Sequence, residues 1–299
     1  MKEYKYYSFS NVDLIDENNI EKDGKNLTIV ILSYNKSKLT IRLLDSIKKY
    51  MPNFKGKILI FDNHSKKSEL KVLRKYLLSF NIDVEIFCSK KNLGIAGGRK
   101  KAFSLVKTSW IMSLDNDIYF IANPLKPINE CVKFLGAKII NLSIYDDYIG
   151  KNLVNGGTLI VNNSDKTYVN VGTLFNGDNH NDKYFLSTGS IGTLVINKDV
   201  YQLVGGYDKK FFVGYEDIDF SIRCYRLGLK VGNINKYFLV HNHMFLEDNI
   251  SKEYEKQRYN TDVLIKSNKH FLKKYNNLYS AMSEYDRNFL NKMQEKINK

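Results

Sequence analysis

The sequence predicts an α/β fold built on a mostly parallel central sheet. Two observations carry that expectation. Four short, β-rich apolar runs alternate with segments whose leucines recur at helical spacing, and each early run stops abruptly at polar residues. Strand alternating with helix four times implies parallel neighbours joined by right-handed crossovers.

The elements follow in order. Residues 27–32 form an apolar run of the kind buried on both faces of a sheet. Leu39, Leu43, Leu44 and Ile47 then mark a helix. Residues 57–61 make the next strand, ending at Asp62, and Leu70, Leu73, Leu77 and Leu78 mark a second helix. Val84 to Phe87 is a third strand, residues 95–107 read as helical, and Trp110 to Leu114 is a fourth strand. From about 136 to 197 the pattern changes to short strands and Gly/Asn-rich turns, such as Asn155-Gly156-Gly157. A helix is expected over 216–227. From Ser251 onward the chain is lysine-rich and helical in pattern, with a break expected near Asn276-Asn277.

In a parallel sheet of this kind, ligands bind outside the carboxyl ends of the strands. Ser33, Tyr34 and Asn35, then Asp62 and Asn63, then Asn92 and Gly94, then Asp115, Asn116 and Asp117 all fall at that edge. Four polar clusters therefore converge on one cleft. Residues 1–26 read as a polar preface, 27–247 as one compact domain, and 248–299 as a basic helical extension.

Composition narrows the function classes. The chain has 299 residues, 43% apolar and 26% charged, as expected of a soluble globular protein. No stretch approaches the roughly 18 apolar residues of a membrane span, and the N-terminus lacks a secretory apolar region. The cytoplasm is the default compartment. Abundant Lys, Asn, Ile and Tyr fit an AT-rich bacterial genome. The three cysteines, Cys88, Cys131 and Cys224, have no metal or disulfide spacing and read as buried reduced thiols. The net charge of +14 suits nucleic acid, an anionic membrane or a phosphorylated small molecule. Absence of any helix-turn-helix, zinc-finger or RNA-binding signature argues against nucleic acid.

The chemistry-bearing residues come next. Asp115 and Asp117, two apart after a strand, can present oxygens to a hard divalent cation, which in turn can bridge a diphosphate. Glu216, Asp217 and Asp219 open a helix, where acids complement the macrodipole. Asp219 and Arg223 at i and i+4 suit a structural ion pair. His241 and His243 share one face of a strand.

Five segments, taken together, resemble the GT-A-fold glycosyltransferases, most closely the inverting family 2. They are "TIVILSYNK", "ILIFDNHS", "NLGIAGGRKKAF", "SLDND" and "GGYDKKFFVGYEDIDFSIRCYRLG", in the family's order and spacing across roughly residues 27–245. The resemblance implies a Rossmann-like sheet flanked by helices and transfer of a sugar from a UDP-sugar. The acceptor would be a polysaccharide, a lipid-linked molecule or a protein. It gives Asp62 the uracil N3–H, Ser33 and Tyr34 the base pocket, and Arg99 the donor phosphates or sugar, with exposure on a basic helix as the alternative for Arg99. It makes Asp217 the general base, with Glu216 orienting the site or the acceptor. It implies Mn²⁺ or Mg²⁺ on Asp117 and on His241 or His243, with Asp115 at the ribose or a coordinated water. Lys36 and Lys100 depart from the family's usual arginine and asparagine.

Two other classes compete. A sugar-phosphate nucleotidyltransferase would keep the sheet, but "ILSYNKSKLT" lacks its glycine-rich basic loop. A basic non-enzymatic scaffold would use the charge, but the ordered acidic motifs oppose it. The basic tail suits an anionic membrane surface at the inner face, or a homodimer seam.

Overall fold

The computed structural model describes residues 19–146, 152–158, 167–168, 172–175, 182–241, 253, 256, 260–275 and 278–279. The first half alternates as the apolar pattern requires. It runs β1 (Leu27–Ser33), α1 (Ser37–Tyr50), β2 (Lys57–Asp62), α2 (Lys67–Leu77), β3 (Val84–Cys88), α3 (Gly94–Leu105), β4 (Trp110–Asp115) and β5 (Ile118–Phe120). Then come α4 (Leu125–Leu135), β6 (Ile139–Asn141), β7 (Ile144–Asp146), β8 (Asn152–Thr158), β9 (Thr167–Tyr168), β10 (Gly172–Phe175), β11 (Tyr184–Ser187) and β12 (Leu194–Asn197). The last elements are α5 (Lys198–Leu203), α6 (Glu216–Arg226), β13 (Val231–Ile234), β14 (Leu239–His241), α7 (Thr261–Lys274) and β15 (Leu278–Tyr279).

The main sheet has the order β11-β13-β6-β12-β4-β1-β2-β3. The β4-β1-β2-β3 half is parallel throughout, and β12 is inserted antiparallel between β4 and β6. A smaller sheet has the order β10-β8-β7-β14-β5.

Both faces of β4, β1 and β2 are covered, which is why these strands read as continuous apolar runs, whereas Glu85, Phe87 and Cys88 of the edge strand β3 are exposed. Ile29 and Ile31 face one core with Trp110, Met112 and Leu114, whereas Val30 and Leu32 face a second core with Ile111, Phe103 and Phe220. Phe271 and Tyr275 at the end of α7 pack into that second core.

Three expectations need correction. Cys88 is exposed rather than buried, because β3 is the outermost strand of the sheet. Cys131 and Cys224 are buried, and burial pushes both thiols up to about 12. Leu78 lies just past α2 and is 90% exposed, so Leu73 alone anchors that helix fully. Beyond Tyr275, Leu278–Tyr279 pairs as a strand with β9 instead of opening a second helix at once. Helices α4 and α5 were not anticipated. Among the described residues no helix is long and apolar enough to cross a membrane.

Candidate active site

The strand register brings the carboxyl ends together. Ser33 pairs with Asp62 across β1 and β2, and Leu32 pairs with Asp115 across β1 and β4. A cavity of about 600 Å³, counting its open mouth, sits above these ends. Its walls include Tyr34 from β1's turn, Asn63 beyond β2, Asn92 and Gly94 at the start of α3, Asp115 to Asp117, and Phe212 and Val213.

Asp62 is 1% exposed. Its Oδ2 accepts from the Ser65 amide at 3.1 Å, while Oδ1 is buried with no hydrogen-bond partner. A buried acceptor without a partner costs free energy unless a ligand supplies a donor. Neighbouring Asn63 is spent on the fold: its amide donates to Asn92 Oδ1 and the Gly94 carbonyl, and its oxygen accepts from the Leu93 amide. Asn92 in turn accepts from the Gly94 amide at 2.9 Å. Gly94 has a φ of +72°, and a Cβ there would lie 2.3 Å from the Phe212 carbonyl oxygen, which accepts from the Ile95 amide. Glycine is required at that close approach.

Ser33, Asn35 and Asn116 serve the walls more than the cavity. The Ser33 hydroxyl is hydrogen-bonded to Thr40, and Asn116 donates to Thr40 and to the Asn35 carbonyl. Asn35, with a φ of +52°, accepts from the Lys66 amide through its side chain. Asn tolerates this left-handed geometry better than most residues.

The acidic pair is resolved by two different partners. Arg99 Nη2 donates to both carboxylate oxygens of Asp115, at 2.8 and 2.9 Å. Arg99 is 3% exposed, so the solvent-facing position on a basic helix does not describe it. Its Nη1 lies 3.5 Å from Glu216 Oε1. Gly192 makes the space, since a Cβ there would stand 2.5 Å from Arg99 Nη2. Burial opposes the Arg99 charge, but Asp115, Tyr207 and Glu216 outweigh it and hold the guanidinium above its ordinary range.

Asp117 is also buried, and its Oδ2 is 3.3 Å from His241 Nε2. The register explains this contact, because β14 pairs His241 with Ile118 of β5. Chain direction therefore changes sheets between Asp115 and Ile118, which puts the two aspartates in different surroundings. His243 lies outside the described residues. Among the described residues, no three His, Cys, Asp or Glu side chains cluster as a metal cage.

Asp217 is half-buried at the second position of α6, and its Oδ1 accepts from the Ile218 amide at 2.8 Å. Glu216, one residue earlier, is buried. Burial and the adjacent Asp217 push its carboxyl up to about 7, against the pull of Arg99. Asp219 points away into structure: Arg223 donates to it twice, and Tyr275 and Lys274 hold its other oxygen.

A family model, Glycosyl transferase family 2, matches residues 28–205, more than half of the chain. The chain belongs to glycosyl transferase family 2. A curated relative, the processive diacylglycerol beta-glycosyltransferase of Mycoplasma genitalium, is 27% identical over 192 residues, which are 60% of this chain and 52% of that protein. The chain thus spans about half the length of this relative. Among solved structures, GalNAc-T7 with UDP, GalNAc and Mn²⁺ superposes with a TM-score of 0.59 at 15% identity, over 95% of this chain and 55% of that one. TarS of S. aureus in complex with UDP-GlcNAc gives 0.53 at 13% identity, over 80% and 66%. The mannosyltransferase PcManGT of Pyrobaculum calidifontis with GDP-Man and Mn²⁺ gives 0.52 at 14% identity, over 91% and 69%. The family 2 chain accordingly has the GT-A fold, a mainly parallel sheet flanked by helices.

Within that family frame, Gly192 and Phe212 were overlooked by sequence reasoning, which placed Asn63 at the cleft edge but gave it no role. Asn63 had a visible signal, because it adjoins Asp62 at a strand end. Gly192 and Phe212 had none, since their partners lie far away in sequence.

Proposed function

We propose that this chain transfers a sugar from a UDP-sugar to a nucleophilic acceptor with inversion at the anomeric carbon. The observation that carries the reading is the continuity of one cavity wall. It runs from Asn63, the residue after the buried Asp62, through Asp115 to Asp117 and on to Val213, four residues before Asp217. A donor bound along this wall would present its reacting carbon towards α6.

Asp62 suits uracil because its buried oxygen needs an N–H donor, which uracil N3 supplies. Cytosine offers a lone pair at that atom and would be repelled. Asp115, fixed by Arg99, would accept from a ribose hydroxyl. Asp117 and His241 fit a divalent cation such as Mn²⁺ or Mg²⁺: a hard carboxylate oxygen with an imidazole, the latter favouring Mn²⁺. Such an ion, when bound, would neutralise charge developing on the leaving diphosphate. Asp217 would take the acceptor's proton as its oxygen attacks from the face opposite the diphosphate. Glu216 would orient the acceptor beside it.

Acceptor choice leans on the curated relative, whose name specifies a diacylglycerol glycosyltransferase. An exposed face of α7 carries Lys266, Lys269 and Lys273 with Ile265 and Leu272, which suits an anionic membrane surface near a lipid-linked acceptor.

The test is Asp217→Asn. It should retain UDP affinity while release of UDP from its sugar donor falls by about a hundredfold or more. Undiminished turnover would remove Asp217 from the role of base.

A further inference from the structure

We propose that Tyr215 is the positioning residue for Glu216 and Asp217, and that helix α7 holds it in place. The inference rests on the functional reading of α6 given above, and it assigns a role to a helix outside the matched family segment.

Tyr215 is the residue immediately before α6, with φ 67° and ψ −6°, in the left-handed region. Gly214 before it is also left-handed, at φ +77°. Four described residues other than glycine have positive φ: Asn35, Lys36, His64 and Tyr215. Tyrosine has no short polar side chain to satisfy such a turn locally. The conformation costs about 1–2 kcal/mol and persists only when its surroundings over-determine it.

Those surroundings come from α7. The Asn268 amide donates to the Tyr215 hydroxyl, and the Phe271 ring packs against the Tyr215 ring at 5.3 Å between centroids. Ser267 Oγ donates to the Val213 carbonyl at 2.9 Å. Leu264 closes over Gly214, where a Cβ would meet its Cδ2 at 3.0 Å. The same helix anchors both flanks of the segment. His270 and Lys274 each reach Asp208 at 3.0 Å, and Lys274 reaches Asp219 at 2.6 Å.

The left-handed turn sets the angle at which α6 leaves the cavity wall at Phe212 and Val213. Tyr215 also accepts the first turn's amide, from Asp219 at 2.9 Å. The directions of Glu216 and Asp217 are therefore set by a lock on α7, whereas Asp62 sits at the end of β2 and the Asp115 carboxylate is held by Arg99 from α3.

Tyr215→Gly tests this directly. Glycine adopts positive φ readily, so the backbone path stays allowed while the ring and hydroxyl anchors are lost. The measurements are UDP titration with Mn²⁺, UDP release from UDP-glucose, UDP-galactose and UDP-GlcNAc, and amide hydrogen exchange over 208–219. In Tyr215→Gly, exchange at 216–219 should quicken and kcat should fall about ten- to a hundredfold, with UDP affinity and donor KM within about threefold of the parent. Tyr215→Phe, which keeps the ring packing, should recover most of the rate. Unchanged exchange, unchanged kcat, or joint loss of UDP affinity and kcat would each overturn the proposal. If the parent protein bound no UDP, the functional reading would fail, and exchange at 216–219 would still decide whether α7 locks the turn.

Discussion

Replacing Arg99 with methionine removes the cation between Asp115 and Glu216 while keeping the side chain's length and apolar stem. In the structure Arg99 is 3% exposed, bidentate on Asp115 and 3.5 Å from Glu216. Removing one partner of a buried ion pair costs about 3–5 kcal/mol, because the remaining charge is left uncompensated. Asp115 is 37% exposed and can recover water, so the lower end, about 3 kcal/mol, applies. At about 2–4 °C per kcal/mol for a chain of this size, Tm should drop by roughly 6–12 °C. Adding Glu216→Gln removes the buried carboxylate that Arg99 leaves behind, so the double variant should regain about half of that loss. The assay is thermal unfolding of the parent, both single variants and the double variant at pH 8, with UDP titration alongside. An Arg99→Met protein melting within about 2 °C of the parent would refute the electrostatic account.

Two further outcomes follow from the same cluster. The folded Glu216 binds its proton more tightly than the unfolded chain, with about 7 against an ordinary 4.5. Its stability contribution is therefore fully present below about pH 4.5 and is lost as pH rises towards 7, a change on the order of 3 kcal/mol. Glu216→Gln should flatten that part of the stability profile, and an identical slope in both proteins would count against it. Gly192→Ala places a methyl group against the Arg99 guanidinium, so it should lower stability by about 1–3 kcal/mol and weaken UDP binding, with no change in either contradicting the packing.

Much of the site was legible because strand ends are. The runs at β1, β2 and β4 are buried on both faces, so their apolar patterns are continuous and their polar endings conspicuous. That is how Asp62, Asp115 and Asp117 were placed at one edge from sequence. Their partners were not legible. Arg99 meets Asp115 across 16 positions and Glu216 across 117, and nothing local to Arg99 distinguishes a buried guanidinium from an exposed one. The insertion of β12 antiparallel to β4 is likewise a long-range choice. Helix α4 was hidden by Pro127, which lies in its first turn, where a missing amide costs no intrahelical bond. The left-handed Tyr215 has no sequence signal, because its geometry is imposed by contacts from α7.

The measurement that bears most directly on the central claim is calorimetric titration with UDP, CDP and GDP, each with and without Mn²⁺, on the parent chain, Asp62→Ala and Asp117→Ala. The structure's unpartnered Asp62 oxygen and the Asp117–His241 pair predict preferential, Mn²⁺-dependent binding of UDP. Base preference should be lost in Asp62→Ala, and Mn²⁺ dependence in Asp117→Ala. Equal binding of all three nucleotides, or no nucleotide binding with or without the ion, would contradict the account.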